Sequence, residues 1–321
     1  MAQRTDNGDI LITRDLTKKY GDLVAVDNLN LSIHRGEVFG LLGPNGAGKT
    51  TTILMLLGLT EPSSGAAYID GLDCARQTID VKRFVGYLPD NVGFYNDMSG
   101  MENLMFTARL NGLSDEEGKR RADELLQRVG LSDRAQDNVG TYSRGMRQRL
   151  AIADILMKDP KMIILDEPTL GIDPEGMREL LILIRDLSDK DGRTVIVSSH
   201  QLHQIQQICD RVGLFVKGRL IAYGKINELA SQLSDVAGTQ TEVSVYGDIA
   251  RLQSVLSGHE LVESLTREND LLVLRSNTDI RGKIASDIIQ SGFELSHLRL
   301  RSGDLDEIYQ RYFEREEGAN G

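Results

Sequence analysis

Eight consecutive residues restrict this chain more than any others. Gly43-Pro44-Asn45-Gly46-Ala47-Gly48-Lys49-Thr50 has the spacing G-x-x-x-x-G-K-[ST]. The motif needs a buried strand before it, which the run 38–42 supplies, and a helix after it, which the apolar run from 53 onward supplies. Glycines let backbone N–H groups turn inward on phosphate oxygens, and the following helix N-terminus adds positive potential. Lys49 then reaches the β and γ oxygens, and Thr50 ligates Mg²⁺. A chain built around such a loop is an α/β protein with a largely parallel sheet.

The rest of the chain agrees with that class. Residues 10–229 alternate short β-rich apolar runs with helical patterns, and 38–42, 162–165 and 194–198 read as buried strands. Ala122, Leu125, Leu126 and Val129 recur at helical spacing on a charged segment, which reads as a helical insertion spanning about 90–158. A polar stretch at 230–240 reads as a linker, and 241–321 as a second domain. There the patterns give a strand at 241–246, a helix at 249–256, and a hairpin of 261–265 with 271–274 around Glu268-Asn269-Asp270. A helix at 279–290, a strand at 293–300 and a terminal helix at 304–314 complete a βαββαβ, ferredoxin-like α+β unit.

At 321 residues there is room for one large and one small domain. A net charge of −11 argues against a broad nucleic-acid surface. The longest apolar runs, 53–59 and 180–184, fall far short of a membrane helix, and the polar N-terminus does not read as a secretory signal. Two distant cysteines, Cys74 and Cys209, fit buried thiols in a reducing compartment, so a cytoplasmic protein is expected.

Further along the chain, Met162-Ile163-Ile164-Leu165-Asp166-Glu167 is an apolar strand ending in two carboxylates. Asp166 suits a metal, and Glu167 suits a general base that polarises the attacking water. His200 follows the strand 194–198, at the end of the sheet where open α/β folds place ligand-contacting groups. Ser143 reads as the N-cap of a helix beginning at Arg144, whose N-terminus would face an anion.

Tyr142-Ser143-Arg144-Gly145-Met146-Arg147-Gln148-Arg149 resembles the signature sequence of ABC ATPases, and other motifs follow in that family's order. Tyr20 resembles the adenine-stacking aromatic, Asp166-Glu167 the Walker B pair, Gly171-Ile172-Asp173-Pro174 the D-loop, and His200 the switch histidine. The resemblance covers about 10–229, and the tail around 304–309 resembles the C-terminal extension of drug- and ion-exporting members. The stretches 87–104 and 142–150 are also similar to the ABC ATPases of copper-site assembly in nitrous-oxide reductase.

The resemblance implies an ATPase, with ATP held by Tyr20, by Gly43 through Thr51, and by Ser143 and Gly145 of the opposite subunit. Lys49, Glu167 and His200 would be catalytic, and Thr50, Asp166 and Asp90 would serve Mg²⁺. It further implies a homodimer or paralogous heterodimer, peripheral on the cytoplasmic membrane face, that energises export by a separate permease docking near 99–104. Three positions depart from the family pattern: Asp90 stands where a Gln is usual, and in the signature Arg144 stands where a Gly is usual and Met146 where a Gln is usual. A soluble ABC ATPase remodelling a ribosome or DNA is the alternative. The single phosphate loop and the lack of a long coiled-coil insertion speak against it. An ordinary P-loop kinase would leave 142–149 unexplained.

Overall fold

The computed structural model describes residues 8–226, 228–229 and 239–301. The chain divides into two compact units between residues 224 and 225.

The first unit opens with two long strands, β1 (Asp9–Tyr20) and β2 (Leu23–His34), joined at a tight turn where Gly21 has φ +58°. Along β2, Val26, Leu29, Leu31 and Ile33 are buried, as expected for a strand with one face in the core. After β3 (Val38–Leu42) and α1 (Lys49–Leu56), the strands β4 (Ser64–Ile69) and β5 (Leu72–Asp73) complete an antiparallel sheet of order β2-β1-β4-β5. The alternation at 10–34 and 64–73 carries this sheet, which the expectation of a largely parallel sheet did not include. Its apolar face shares one core with α1 and the second sheet: Leu11, Val26, Ile33 and Ile69 pack in the same cluster as Ile53, Phe39 and Phe215.

Next come α2 (Thr78–Phe84), β6 (Val85–Leu88), α3 (Gly100–Leu110), α4 (Asp115–Arg128) and α5 (Arg144–Leu156). They are followed by β7 (Met162–Asp166), α6 (Pro174–Asp189), β8 (Thr194–Ser199), α7 (Leu202–Ile205), β9 (Arg211–Val216) and β10 (Arg219–Gly224). The second sheet has the order β10-β9-β3-β8-β7-β6 and is parallel except for its edge strand β10. Every residue of β3, β7 and β8 is buried, and so their sequences are near-continuous apolar runs. In α3 to α5, Ser99 and Glu102 form a reciprocal capping box, Ser114 caps α4, and Ala122, Leu125, Leu126 and Val129 turn inward.

The second unit contains β11 (Thr239–Tyr246), α8 (Ile249–Leu256), β12 (Ser264–Glu268), β13 (Leu271–Ser276), α9 (Arg281–Gln290) and β14 (Glu294–Arg301). This is the expected βαββαβ order, in an antiparallel sheet β12-β13-β11-β14. Its core joins Val243, Leu272 and Leu274 to Leu252, Leu256, Ile284 and Ile288 of the two helices.

Several boundaries of the second unit differ from the sequence expectation. β11 begins at Thr239, inside the stretch read as linker. β12 begins at Ser264, because Leu261 and Val262 lie in a turn closed by the Val262 N–H donating to the His259 carbonyl at 2.9 Å. α9 begins at Arg281, whose N–H donates to Asp279 Oδ1 at 3.1 Å just ahead of the helix. The helix expected at 304–314 lies outside the described residues, as does most of 230–240. Among the described residues no helix is long and apolar enough to cross a membrane.

Candidate functional site

Parallel pairing brings four strand ends to one edge of the second sheet. Leu42 of β3 lies opposite Ser199 of β8, Asp166 of β7 opposite Ser198, and Leu165 opposite Leu88 of β6. Residues 43, 89, 167 and 200 therefore leave the sheet side by side, in the crevice where open α/β sheets bind ligands.

The phosphate loop turns into α1 at Gly48, which has φ +105° and precedes the helix as its N-cap. A Cβ there would fall 2.5 Å from the Ala25 carbonyl oxygen, so the close approach of β2 requires glycine at this position. Lys49 is only 5% exposed. Its Nζ donates to the carbonyls of Gly43 at 2.5 Å and Pro44 at 3.2 Å, and stands 3.2 Å from Glu167 Oε1. Thr50 Oγ1 donates to Asp166 Oδ2 at 3.0 Å, while Ser198 Oγ donates to the other oxygen of the same buried carboxylate.

Glu167 has φ +48°, an unfavourable conformation for a non-glycine residue. It is fixed by its N–H, which lies within hydrogen-bonding distance of both the carbonyl and the hydroxyl of Ser198, at 3.2 and 3.1 Å. The strained turn aims the side chain back at the loop. His200 Nδ1 lies 2.9 Å from Glu167 Oε2, and its Nε2 lies 3.2 Å from the amide nitrogen of Gln201. Since that amide nitrogen can only donate and the carboxylate can only accept, Nε2 is the acceptor and Nδ1 carries the proton. The orientation of Gln201 is fixed in turn by Gln204, whose amide donates to Gln201 Oε1. Tyr87, half-buried beside this edge, has its hydroxyl pKa pushed up to about 12, first by burial and then by the charges of Asp166 and Asp90.

Lys49, Thr50, Asp166, Glu167 and His200 thus form one hydrogen-bonded and ion-paired group. Ser198 belongs to it too, although the sequence reading passed over it. Its signal was a polar pair ending an apolar strand. Tyr20 ends β1 and is 48% exposed, with Lys18 Nζ 4.9 Å from its ring centre. The strand leaving its hairpin brings the Ala25 carbonyl against Gly48 of the phosphate loop.

Ser143, Gly145 and Asp90 fall in a second group at the start of α5. Ser143 caps that helix, its Oγ accepting from the Met146 N–H at 3.2 Å. Gly145 packs on Ile172, where a Cβ would lie 3.4 Å from the Ile172 side chain. Asp90 is half-exposed, with Oδ1 3.5 Å from Arg144 Nη2. Asp173 caps α6 by accepting from the Gly176 N–H, with Pro174 at the first helical position.

Residues 26–170 match the family model described as ABC transporter. The chain is 42% identical over 308 residues to the bacitracin transport ATP-binding protein BcrA of Bacillus licheniformis, covering 94% of this chain and 96% of that one. It is 34% identical over 306 residues to the daunorubicin resistance ATP-binding protein DrrA3 of Streptomyces coeruleorubidus, covering 94% and 95%. Among solved structures, a dimeric ATP-binding cassette in a post-hydrolysis state with ADP and Pi superposes with a TM-score of 0.60 at 26% identity, covering 67% of this chain and 98% of that one.

Proposed function

Since the chain belongs to the ABC transporter family and is one of its ATP-binding ATPases, we propose that two copies close head-to-tail on ATP and drive export through a separate membrane-spanning partner. The observation that carries the reading is the group at the sheet edge, where a buried lysine, a threonine–aspartate pair and a histidine-held glutamate surround the phosphate loop. On this reading Lys49 exchanges its carbonyl acceptors for β- and γ-phosphate oxygens, and backbone N–H groups from Gly43 to Thr51 cradle the phosphates. Tyr20 stacks on the adenine. Glu167 takes a proton from the attacking water, while the Nδ1–H of His200 holds the carboxylate in place.

The residues also fit Mg²⁺. That ion is usually held by one or two carboxylates together with substrate phosphates rather than by an all-protein cage, and Thr50 with Asp166 offers such a partial set. When bound there it would neutralise charge on the β- and γ-phosphates. The names of BcrA and DrrA3 support drug-like cargo and export. A cavity of about 320 Å³ lined by Tyr87, Phe94, Tyr95, Phe106, Thr107 and Asp154 supports docking of the partner next to α3.

The composite site is tested by mixing two inactive variants. Lys49→Ala removes the phosphate contact of one copy and Ser143→Arg blocks the signature of the other. Together they regenerate one intact site per heterodimer, so ATP hydrolysis should reappear on mixing. A mixture as inactive as its components, under conditions where heterodimers are demonstrated by cross-linking, would refute the shared site.

A further inference from the structure

Two of the three positions that depart from the family pattern, Asp90 and Arg144, are the two ends of one ion pair. Arg144 is the first residue of α5, where a cation opposes the helix dipole, so helix stability does not account for it. Besides meeting Asp90, its side chain lies over Gly171. With φ +70°, Gly171 would bring a Cβ within 3.1–3.2 Å of Arg144 Nη1, Cδ and Cζ. Beside it, Ile172 fills the space between Gly145 and Gly176. The first turn of α5, the start of the loop after β6 and the turn after β7 therefore meet at one side chain.

That last turn is tied to the catalytic group. The Leu170 N–H donates to the Glu167 carbonyl at 3.2 Å, and the Ile172 N–H to the Thr169 carbonyl at 3.3 Å. Thr169 Oγ1 donates to Gln204, which holds Gln201 against His200. The residues on either side of Gly171 are thus hydrogen-bonded to Glu167 directly and, through Thr169, Gln204 and Gln201, to His200.

We propose that Arg144 is a positioning residue for hydrolysis, with Asp90 as its counter-ion, locking the first turn of α5 to the turn that follows Glu167. Asp90 acts through Arg144 and not as a ligand of Mg²⁺. The inference rests on the reading of Ser143 as the residue that faces ATP on the opposite copy, since only then does the lock align the base of one site with the signature of the other. An ion pair this exposed adds little to stability, but small misplacements of catalytic groups are costly to rate.

The test is a double-mutant cycle on the full chain, using Asp90→Asn, Arg144→Gln and both together. ATPase rate is followed against ATP and against Mg²⁺, with thermal melts as a control for folding. Each single change should lower kcat by roughly 5- to 50-fold without altering the KM for ATP, the Mg²⁺ half-saturation or the melting temperature. The double variant should be no slower than the slower single one, and Arg144→Lys, which keeps the charge, should recover part of the loss. Additive losses, or a raised Mg²⁺ requirement confined to Asp90→Asn, would overturn the proposal. So would a raised KM confined to Arg144→Gln, the result expected if Arg144 gripped phosphate directly. Adding Glu167→Gln separates the two levels of argument. If no ATP-dependent dimer forms in that background, the composite-site reading fails; if the dimer forms but the cycle shows no loss of rate, only the role of Arg144 fails.

Discussion

The sheet edge that carries the phosphate loop and the small unit that follows residue 224 obey local rules to very different degrees. In the small unit, strands alternate and helices bury one stripe. Asp248 caps α8 by accepting from two backbone N–H groups, and the left-handed Asn269 sits in the two-residue hairpin turn where such a residue belongs. At the sheet edge and the neighbouring start of α5 the rules are broken together. Glu167 adopts a left-handed conformation outside such a turn, Lys49 and Asp166 are charged and buried, and Arg144 stands at the wrong end of a helix dipole. A chain tolerates such breaches where surrounding contacts hold them and chemistry needs them.

The comparison is broken most severely at its strained end. Glu167→Gln keeps the size and the turn but removes the carboxylate base, so hydrolysis should fall by roughly 10²–10⁴-fold while ATP still binds. The measurements are single-turnover hydrolysis and nucleotide binding. Near-normal turnover would remove Glu167 from the chemistry and leave its strained backbone without a purpose.

A middle-sized effect probes the rule-abiding end. Ile284 is fully buried in the core of the small unit, so Ile284→Ala should cost about 2–5 kcal/mol of that unit's stability. Hydrogen exchange should accelerate in β11 and β13, while exchange in β3 and β7 and the rate of ATP hydrolysis stay near wild type. A kcat falling in step with the exchange of β11 would erase the contrast between the regions.

The smallest effect sharpens it within the first unit. Asp154 lines the cavity beside α3, and its Oδ1 is buried without a hydrogen-bond partner. Its pKa is raised, chiefly by burial, with a hydrogen bond from Thr107 and the charge of Lys158 opposing the shift. The folded state therefore holds this proton more tightly than the unfolded one, and stability declines as pH rises from the ordinary aspartate range through the raised pKa. Asp154→Asn should gain about 1 kcal/mol, or roughly 2–4 °C in Tm, near neutral pH. The gain should fade below about pH 4, where the aspartate is itself protonated. Melting curves at the two pH values decide it, and an equal gain at both would assign the effect to packing.

Much of this molecule is determined by sequence alone, because short-range physics sets it. The spacing of Gly43 to Thr50 specifies a strand, a loop and a helix; Ser143, Ser114 and Asp248 specify helix starts; apolar runs specify the buried strands β3, β7 and β8. What lay beyond it depends on partners far along the chain. The first sheet pairs β1 with both β2 and β4, and a strand does not name its neighbour in its own composition. Ser198 became part of the site only when parallel pairing set β8 beside β7 and placed its hydroxyl against Asp166. Asp90 and Arg144 are 54 positions apart and looked like unrelated departures. The tertiary structure made them a pair, because the loop after β6 and the start of α5 meet only once the sheet and the helices around it have packed.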